Sequence, residues 1–292
     1  MSAEVQVRTN EPPRLRPIAR LRELWAHREV LANLARRELK AKYKSTALGV
    51  AWSMLNPALY LAVFYVVFTF FLPTGIEDFP VYLLSGLLPW TLFSTGFQAA
   101  TTSVVGSSNL VTKVAFPHET LPLASIRAQT VNFSYQFLVL VAFMVVFGYP
   151  LIHRGSVLLP VALVVLLTFT AAIGFATAAW NVRYRDTGHL VELMVLAWFW
   201  LTPIVYPTEL VRQNLGPVGF QIYLLNPVTN AVLSFQRAIY GGVSTNALND
   251  LPAPGVRWYG FRLLAVWAVS MVILYLTWRL FYRRSGDFAE EL

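Results

Sequence analysis

The chain has 292 residues, of which 56% are hydrophobic and only 13% charged; a soluble chain of that size carries about a quarter charged residues, so a water-soluble globule is excluded. Its net charge of +8 is not a nucleic-acid footprint, because most Lys and Arg flank apolar segments, where anionic headgroups and the insertion rule place them. With no cysteine, disulfides, thiol nucleophiles and Cys-based metal sites are ruled out.

Residues 1–17 are rich in Pro, Arg and Glu and read as a disordered cytoplasmic tail. No apolar stretch with a cleavage site occurs in the first 40 residues, so no signal peptide is expected. Over 18–49, Leu21, Leu24, Trp25, Leu31, Ala32 and Ala35 share one helical arc that Arg28 interrupts. This predicts an amphipathic helix lying along the inner leaflet, followed by a basic linker. A solvated helix packing its apolar side on a partner or on the membrane domain is the alternative.

From Val50 to Leu72 there is no charged residue, and further apolar segments lie at 81–105, 125–147, 157–180, 189–206 and 260–281. Runs of about 20 apolar residues match the hydrocarbon thickness of a bilayer. Backbone groups in lipid must be paired within a segment, so the prediction is an all-α membrane protein with six transmembrane helices in a domain at 50–284. Eleven Lys and Arg precede Val50, and Lys113, Arg127, Arg183, Arg185, Arg279, Arg283 and Arg284 fall on the same side. Only Arg154, Arg212, Arg237, Arg257 and Arg262 fall on the other. The asymmetry puts both termini, including the tail 285–292, in the cytoplasm.

The last external segment, 207–258, holds two half-length apolar runs, Gly216–Leu225 and Val228–Tyr240. Asn226-Pro227 separates them and Gly241-Gly242 ends the second. Each is too short to cross, which predicts two short re-entrant or interfacial helices, with a surface hairpin as the alternative.

The chemistry is sparse. There is no Gly-Lys dipeptide, hence no phosphate-cradling loop of the usual kind. The first four spans carry no Asp, Glu, Lys or Arg over their middles, while Glu192 and Arg262 sit near span ends, where they can reach an interface. Neither ATP hydrolysis nor proton coupling is expected of this chain. Arg183-Tyr184-Arg185-Asp186 with His189 and Glu192 reads as an ion-paired loop rather than a metal site. No catalytic residue, metal ligand or cofactor site is expected.

Several segments together resemble ABC-2 type polysaccharide export permeases. These are Arg36-Arg37-Glu38-Leu39-Lys40-Ala41-Lys42-Tyr43-Lys44, Leu48-Gly49, and Trp52 through Leu55-Asn56-Pro57. Asn181 through Asp186, Leu201 through Pro207, and Leu225-Asn226-Pro227 complete the set, so that the resemblance spans residues 20–292. It implies a homodimer of six-helix subunits in the bacterial inner membrane, enclosing a channel between protomers. Two copies of a separate ATPase subunit would bind ATP and Mg. The substrate would be a polysaccharide linked to an undecaprenyl or similar polyprenyl pyrophosphate, as for O-antigen, teichoic acid or capsule.

The resemblance also implies roles. The loop Asn109–Pro122 would be the coupling element that docks on the ATPase. In it Phe116 is an apolar knob, Pro117 a helix start, and Lys113, His118 and Glu119 polar rim contacts. Sugars offer apolar C–H faces on which aromatic rings stack. Tyr60, Phe64, Phe68 and Phe71 fall within an arc of about 80° on the first span, and Trp198 and Tyr206 lie on one side of the fifth. Such rings line a channel or face lipid. Gln129, Asn132 and Gln136 on the third span bond to neighbouring helices or line a wet cavity. Arg36, Arg37, Lys40, Lys42 and Lys44 would meet the substrate's pyrophosphate at the inner mouth, or anchor the chain to the inner leaflet. Small-molecule or lipid efflux by an ABC-2 permease, an ion-driven flippase and a lipid-modifying membrane enzyme are the competing functions.

Overall fold

The computed structural model describes residues 17–44, 48–49, 51–71, 76–243, 251–253 and 255–292. The expected disordered tail therefore lies, apart from Pro17, outside the described residues. All regular structure among them is helical.

The amphipathic segment forms two helices, α1 (Pro17–Ala26) and α2 (Arg28–Tyr43). Helix α1 buries no residue and leaves Ile18, Leu21 and Trp25 exposed. Helix α2 presses Ala35 against Ala124 and Ala128. The small side chains at that contact let the two backbones approach closely. Helix α3 (Ala51–Val66) continues into a π-helical turn, Val67–Phe71. After it come α4 (Phe79–Thr102), the single turn α5 (Ser108–Val111), α6 (Thr120–Val146) and α7 (Leu158–Arg183).

Helix α8 (Thr187–Trp200) is followed by α9 (Thr208–Tyr223), α10 (Pro227–Ile239), α11 (Val256–Arg284) and α12 (Phe288–Glu291). Among the described residues, α6, α7 with its preceding turn, and α11 are long and apolar enough to cross a membrane. At a rise of about 1.5 Å per residue each runs roughly 40 Å. The other apolar segments fall short of that standard in length or hydropathy, so three of the six expected spans meet it.

The fifth expected span, 189–206, is corrected. Its helix is 14 residues long and ends at Trp200. The chain then turns through Thr202 and Pro203, with the Ile204 amide bonding back to the Thr202 carbonyl at 2.8 Å. Proline removes a helical donor at that point. An apolar run continuing past the break hid it from hydropathy.

Helix α4 is the centre of the core. It packs against α6, α7 and α10, while α7 also carries α11. Two glycines set these approaches. A Cβ on Gly174 would lie 2.9 Å from Ala100 Cβ, and one on Gly86 would lie 2.8 Å from Gln236 Nε2.

The two half-length runs of 207–258 fall in α9, which is broken at Gly216 (φ 66°), and in α10, which is no surface hairpin. Every residue from Val228 to Ile239 is buried, enclosed by α4, α7 and α11. Its start is fixed by Asn226, whose side chain accepts from the Val228 and Thr229 amides. Proline at the first helical position suits that cap, because it needs no partner for an N–H.

Candidate functional site

At one end of the bundle three segments distant in sequence converge on Glu119. Its side chain is 0% exposed. Arg20 of α1 grips it with one edge of the guanidinium, Nε donating to Oε1 at 2.8 Å and Nη2 to Oε2 at 2.6 Å. Trp278 of α11 donates its indole N–H to Oε1 at 3.3 Å. The same guanidinium lies 4.9 Å from the centroid of the Tyr282 ring and bonds to Glu23 at 2.6 Å. Burial by itself would lower the Arg20 pKa, but the bonds and charges of Glu119 and Glu23 outweigh it and hold the group above its ordinary range. Glu119 is thus not a rim contact. It is the inward anchor that ties the first helix to the start of α6 and to α11.

The rest of the expected coupling loop turns inward by degrees. Lys113, Val114 and Ala115 are exposed, Val114 at 50%. Phe116 is half-buried against a cluster that includes Val111, Leu121, Phe175, Phe281 and Phe288. Pro117 is buried. The His118 ring stands edge-on to Phe116 at 5.4 Å and packs on Phe288 of α12 at 6.0 Å. Burial is the main influence on His118 and lowers its pKa. What the loop offers outward is Asn109, the run 112–115 and part of the Phe116 ring.

Beside this loop, Arg36, Arg37, Lys40 and Lys44 line a groove of about 630 Å³ together with Asn33 and Ala41. Lys42 is exposed and lies off that lining. Arg37 also borders a second cavity of about 340 Å³, with Glu38, Thr102, Ser103, Ser107 and Ser125 among its walls. Ser125 donates to Glu38 at 2.5 Å. Burial, the largest influence there, raises the Glu38 pKa against the opposing effects of Ser125 and Arg37.

The expected aromatic stripes separate. Tyr60 and Phe64 stack at 5.9 Å with planes 14° apart. Tyr60 is 55% and Phe71 72% exposed, while Phe64 leans on the core. The Phe68 side chain lies outside the described residues. Helix α3 packs mainly on α6 and α4 and leaves Leu59, Val63 and Val66 exposed as well.

Trp198 and Tyr206 are each half-buried and are held by packing and hydrogen bonds. The Trp198 ring meets Phe93 and Phe169 in the core at 5.2 and 6.0 Å, and its N–H donates to Asn226 Oδ1 at 3.0 Å. Tyr206 donates to the Trp200 carbonyl at 2.6 Å, and its hydroxyl lies 3.3 Å from that of Tyr223. Asn226 returns a bond to the Leu201 carbonyl at 3.2 Å, and Gln236 donates to the Pro203 carbonyl at 3.0 Å. These side chains fasten the broken end of α8 to the buried α10. The Asn-Pro pair was the legible signal for this junction. On α6, Asn132 is buried and donates to Gln129 at 2.9 Å.

Among the described residues no group of three or more His, Asp or Glu side chains is placed to hold a metal ion.

The ABC-2 type transporter family matches residues 29–240. The chain is 33% identical over 273 residues to the O-antigen export system permease protein RfbA of Myxococcus xanthus, covering 93% of this chain and 98% of that one. A Klebsiella pneumoniae protein of the same name is 27% identical over 224 residues, covering 73% and 81% of the two chains. The polysialic acid transport protein KpsM of Escherichia coli is 20% identical over 211 residues, covering 70% and 79%.

Proposed function

The chain belongs to the ABC-2 type transporter family, and on that premise we propose that it is the membrane-spanning subunit of an ATP-driven exporter of lipid-linked polysaccharide in a bacterial inner membrane. The observation that carries this reading is the match to an O-antigen export permease over 93% of this chain and 98% of the other. It is a transport subunit, not an enzyme. Two copies form the channel, and a separate pair of ATPase subunits supplies the energy, since the sequence has no Gly-Lys loop for phosphate.

The geometry supports the division of labour. Lys113, Val114 and Ala115 are among the outward residues of the loop assigned to ATPase docking. Phe116, Pro117 and His118 connect that surface to the packed ends of α7, α11 and α12. The basic groove of α2 provides several cationic donors suited to a pyrophosphate. The exposed rings of α3 form the wall offered to the second copy and to the glycan.

The test is reconstitution in proteoliposomes with and without the ATPase subunit, measuring delivery of a polyprenyl-pyrophosphate-linked glycan across the bilayer. Delivery should require both the ATPase and ATP. A Val114→Asp variant should insert normally and lose ATP-dependent delivery, because it places a charge at the contact without disturbing the core. Vigorous delivery by the chain alone would overturn the reading. ATP-driven movement of unglycosylated lipid with none of the glycolipid would replace it with lipid efflux.

A further inference from the structure

Helix α6 begins next to Glu119 and runs 27 residues, so its far end lies roughly 40 Å from the inner anchor. There the end of α3, the start of α4 and the end of α6 enclose a cavity of about 290 Å³. Tyr65, Phe79, Phe143 and Tyr149 supply rings to its wall, and Asp78 a carboxylate. The volume is near the lower end of small-ligand sites, roughly 300 Å³.

Two features mark this cavity as more than a packing gap. Asp78 adopts a left-handed backbone, φ 48°, and is the one non-glycine residue with positive φ among those described. Aspartate visits that region more readily than most residues, yet it remains an uncommon state that the surroundings must hold. Here the Val81 and Tyr82 amides bond back to the Asp78 carbonyl at 2.9 and 3.3 Å. Second, the Tyr149 hydroxyl donates to Asp78 Oδ1 at 2.5 Å. Burial, aided by the Asp78 carboxylate, pushes the Tyr149 pKa up, so the phenol stays a donor. A carboxylate has about four lone-pair positions, and the phenol uses one.

The rings form a wall rather than a box. Phe147 lies 4.3 Å from Phe143 at 31° and 6.4 Å from Tyr149 at 16°, and Phe143 and Tyr149 are 28° apart. Tyr65 meets Phe147 at 6.3 Å with its plane inclined by 45°. An ammonium ion is caged by rings angled around one point. Of the rings that line the cavity, Phe143 and Tyr149 are within 28° of parallel and Tyr65 leans across from α3, so apolar ring surface lies beside a hydrogen-bond acceptor, a pairing that suits the C–H face and hydroxyls of a pyranose.

We propose that this cavity is a sugar-binding site at the exit end of the subunit, holding one pyranose of the exported polysaccharide on the ring wall with a hydroxyl donated to Asp78. The assignment rests on the polysaccharide reading above. A weak station of this kind keeps the emerging chain from sliding back between power strokes.

The experiment uses the full chain with its ATPase subunit in nanodiscs. Saturation-transfer NMR is run with methyl glycosides of hexoses, N-acetylhexosamines, 6-deoxyhexoses and uronic acids, and with choline. Transfer to the ring protons of at least one glycoside is expected. Asp78→Asn and, separately, Tyr65→Ser should each weaken binding about tenfold, the loss of one charge-assisted bond or one stacking face. Tyr65 is partly exposed, so that variant tests the site even if the Asp78 change fails to fold. Three outcomes overturn the site: no transfer to any glycoside, binding undiminished in the folded variants, or choline bound and glycosides not. Glycolipid delivery is measured on the same wild-type preparation. Delivery without sugar binding sinks the site alone, whereas absence of ATP-driven delivery sinks the functional reading.

Discussion

Replacing Arg20 by methionine strands a carboxylate. Glu119 is 0% exposed and would keep one side-chain donor, the Trp278 indole at 3.3 Å. Breaking a buried ion pair from one side costs about 3–5 kcal/mol. The Arg20 side chain retains 15% exposure, so the low end of that range, about 3 kcal/mol, applies. Helix α1 buries no residue of its own, and beside Arg20 it is held mainly by Leu24, half-buried against the cluster of Val111, Phe175 and Phe281. The equilibrium for detaching α1 should therefore shift by about a hundredfold, at roughly 1.4 kcal/mol per factor of ten.

The assay is amide hydrogen exchange over 17–26 in nanodiscs, with α7 amides as the internal reference. Arg20→Met should speed exchange in α1 about a hundredfold and leave α7 unchanged. Combining it with Glu119→Gln removes the stranded charge while keeping an acceptor for Trp278. That double variant should recover most of the loss. Unchanged exchange in the single variant, or a double variant as loose as the single one, would refute the assignment of Glu119 as the anchor of α1.

Three other outcomes follow from the geometry. Because burial lowers the His118 pKa, the unfolded or undocked chain takes up the proton more readily. The stabilisation is then complete above about pH 6.5, the ordinary histidine value, and is lost as pH falls below it; exchange over 285–292 should rise on acidification, and His118→Phe should flatten that response. Asn226→Ala removes the cap of α10 and the acceptor for Trp198, which should cost about 2–3 kcal/mol in detergent unfolding, with Asn226→Asp costing less; equal stability of the alanine variant and the parent would show that the junction is held elsewhere. Gly86→Val should cost about 1–3 kcal/mol by overpacking against Gln236, whereas Gly260→Ala, which meets no heavy atom within 4 Å, should be neutral or stabilising in the same thermal assay.

What the sequence made legible was the product of local pattern. Apolar runs announced α6, α7 and α11, and an apolar arc announced the amphipathic segment, though as one helix rather than the pair α1 and α2. Asn226-Pro227 marked the start of α10 because an Asx cap and a proline are both local devices. Contacts between distant segments were not legible. Glu119 reads as a loop charge until Arg20, 99 residues earlier, is seen to hold it. Trp198 reads as one ring on a helix face until Phe93, Phe169 and Asn226 are placed around it. The end of α8 failed for another reason: hydropathy averages over a window, and one proline after an apolar run hardly moves the average. Asp78 gave no signal, because its left-handed backbone follows no local sequence pattern.

The enclosed position of α10 carries a consequence for biogenesis. Thirteen residues, about 20 Å of helix, sit between α4 and α7, which are synthesised earlier, and α11, which is synthesised later. A ribosome-to-membrane hand-off that released each hydrophobic stretch sideways in turn could not leave α10 there. It has to wait, loosely held at the surface, until the final long helix arrives and closes the third side. The last event in making this subunit is a docking step inside an already inserted bundle, and truncation before Val256 would strand that piece.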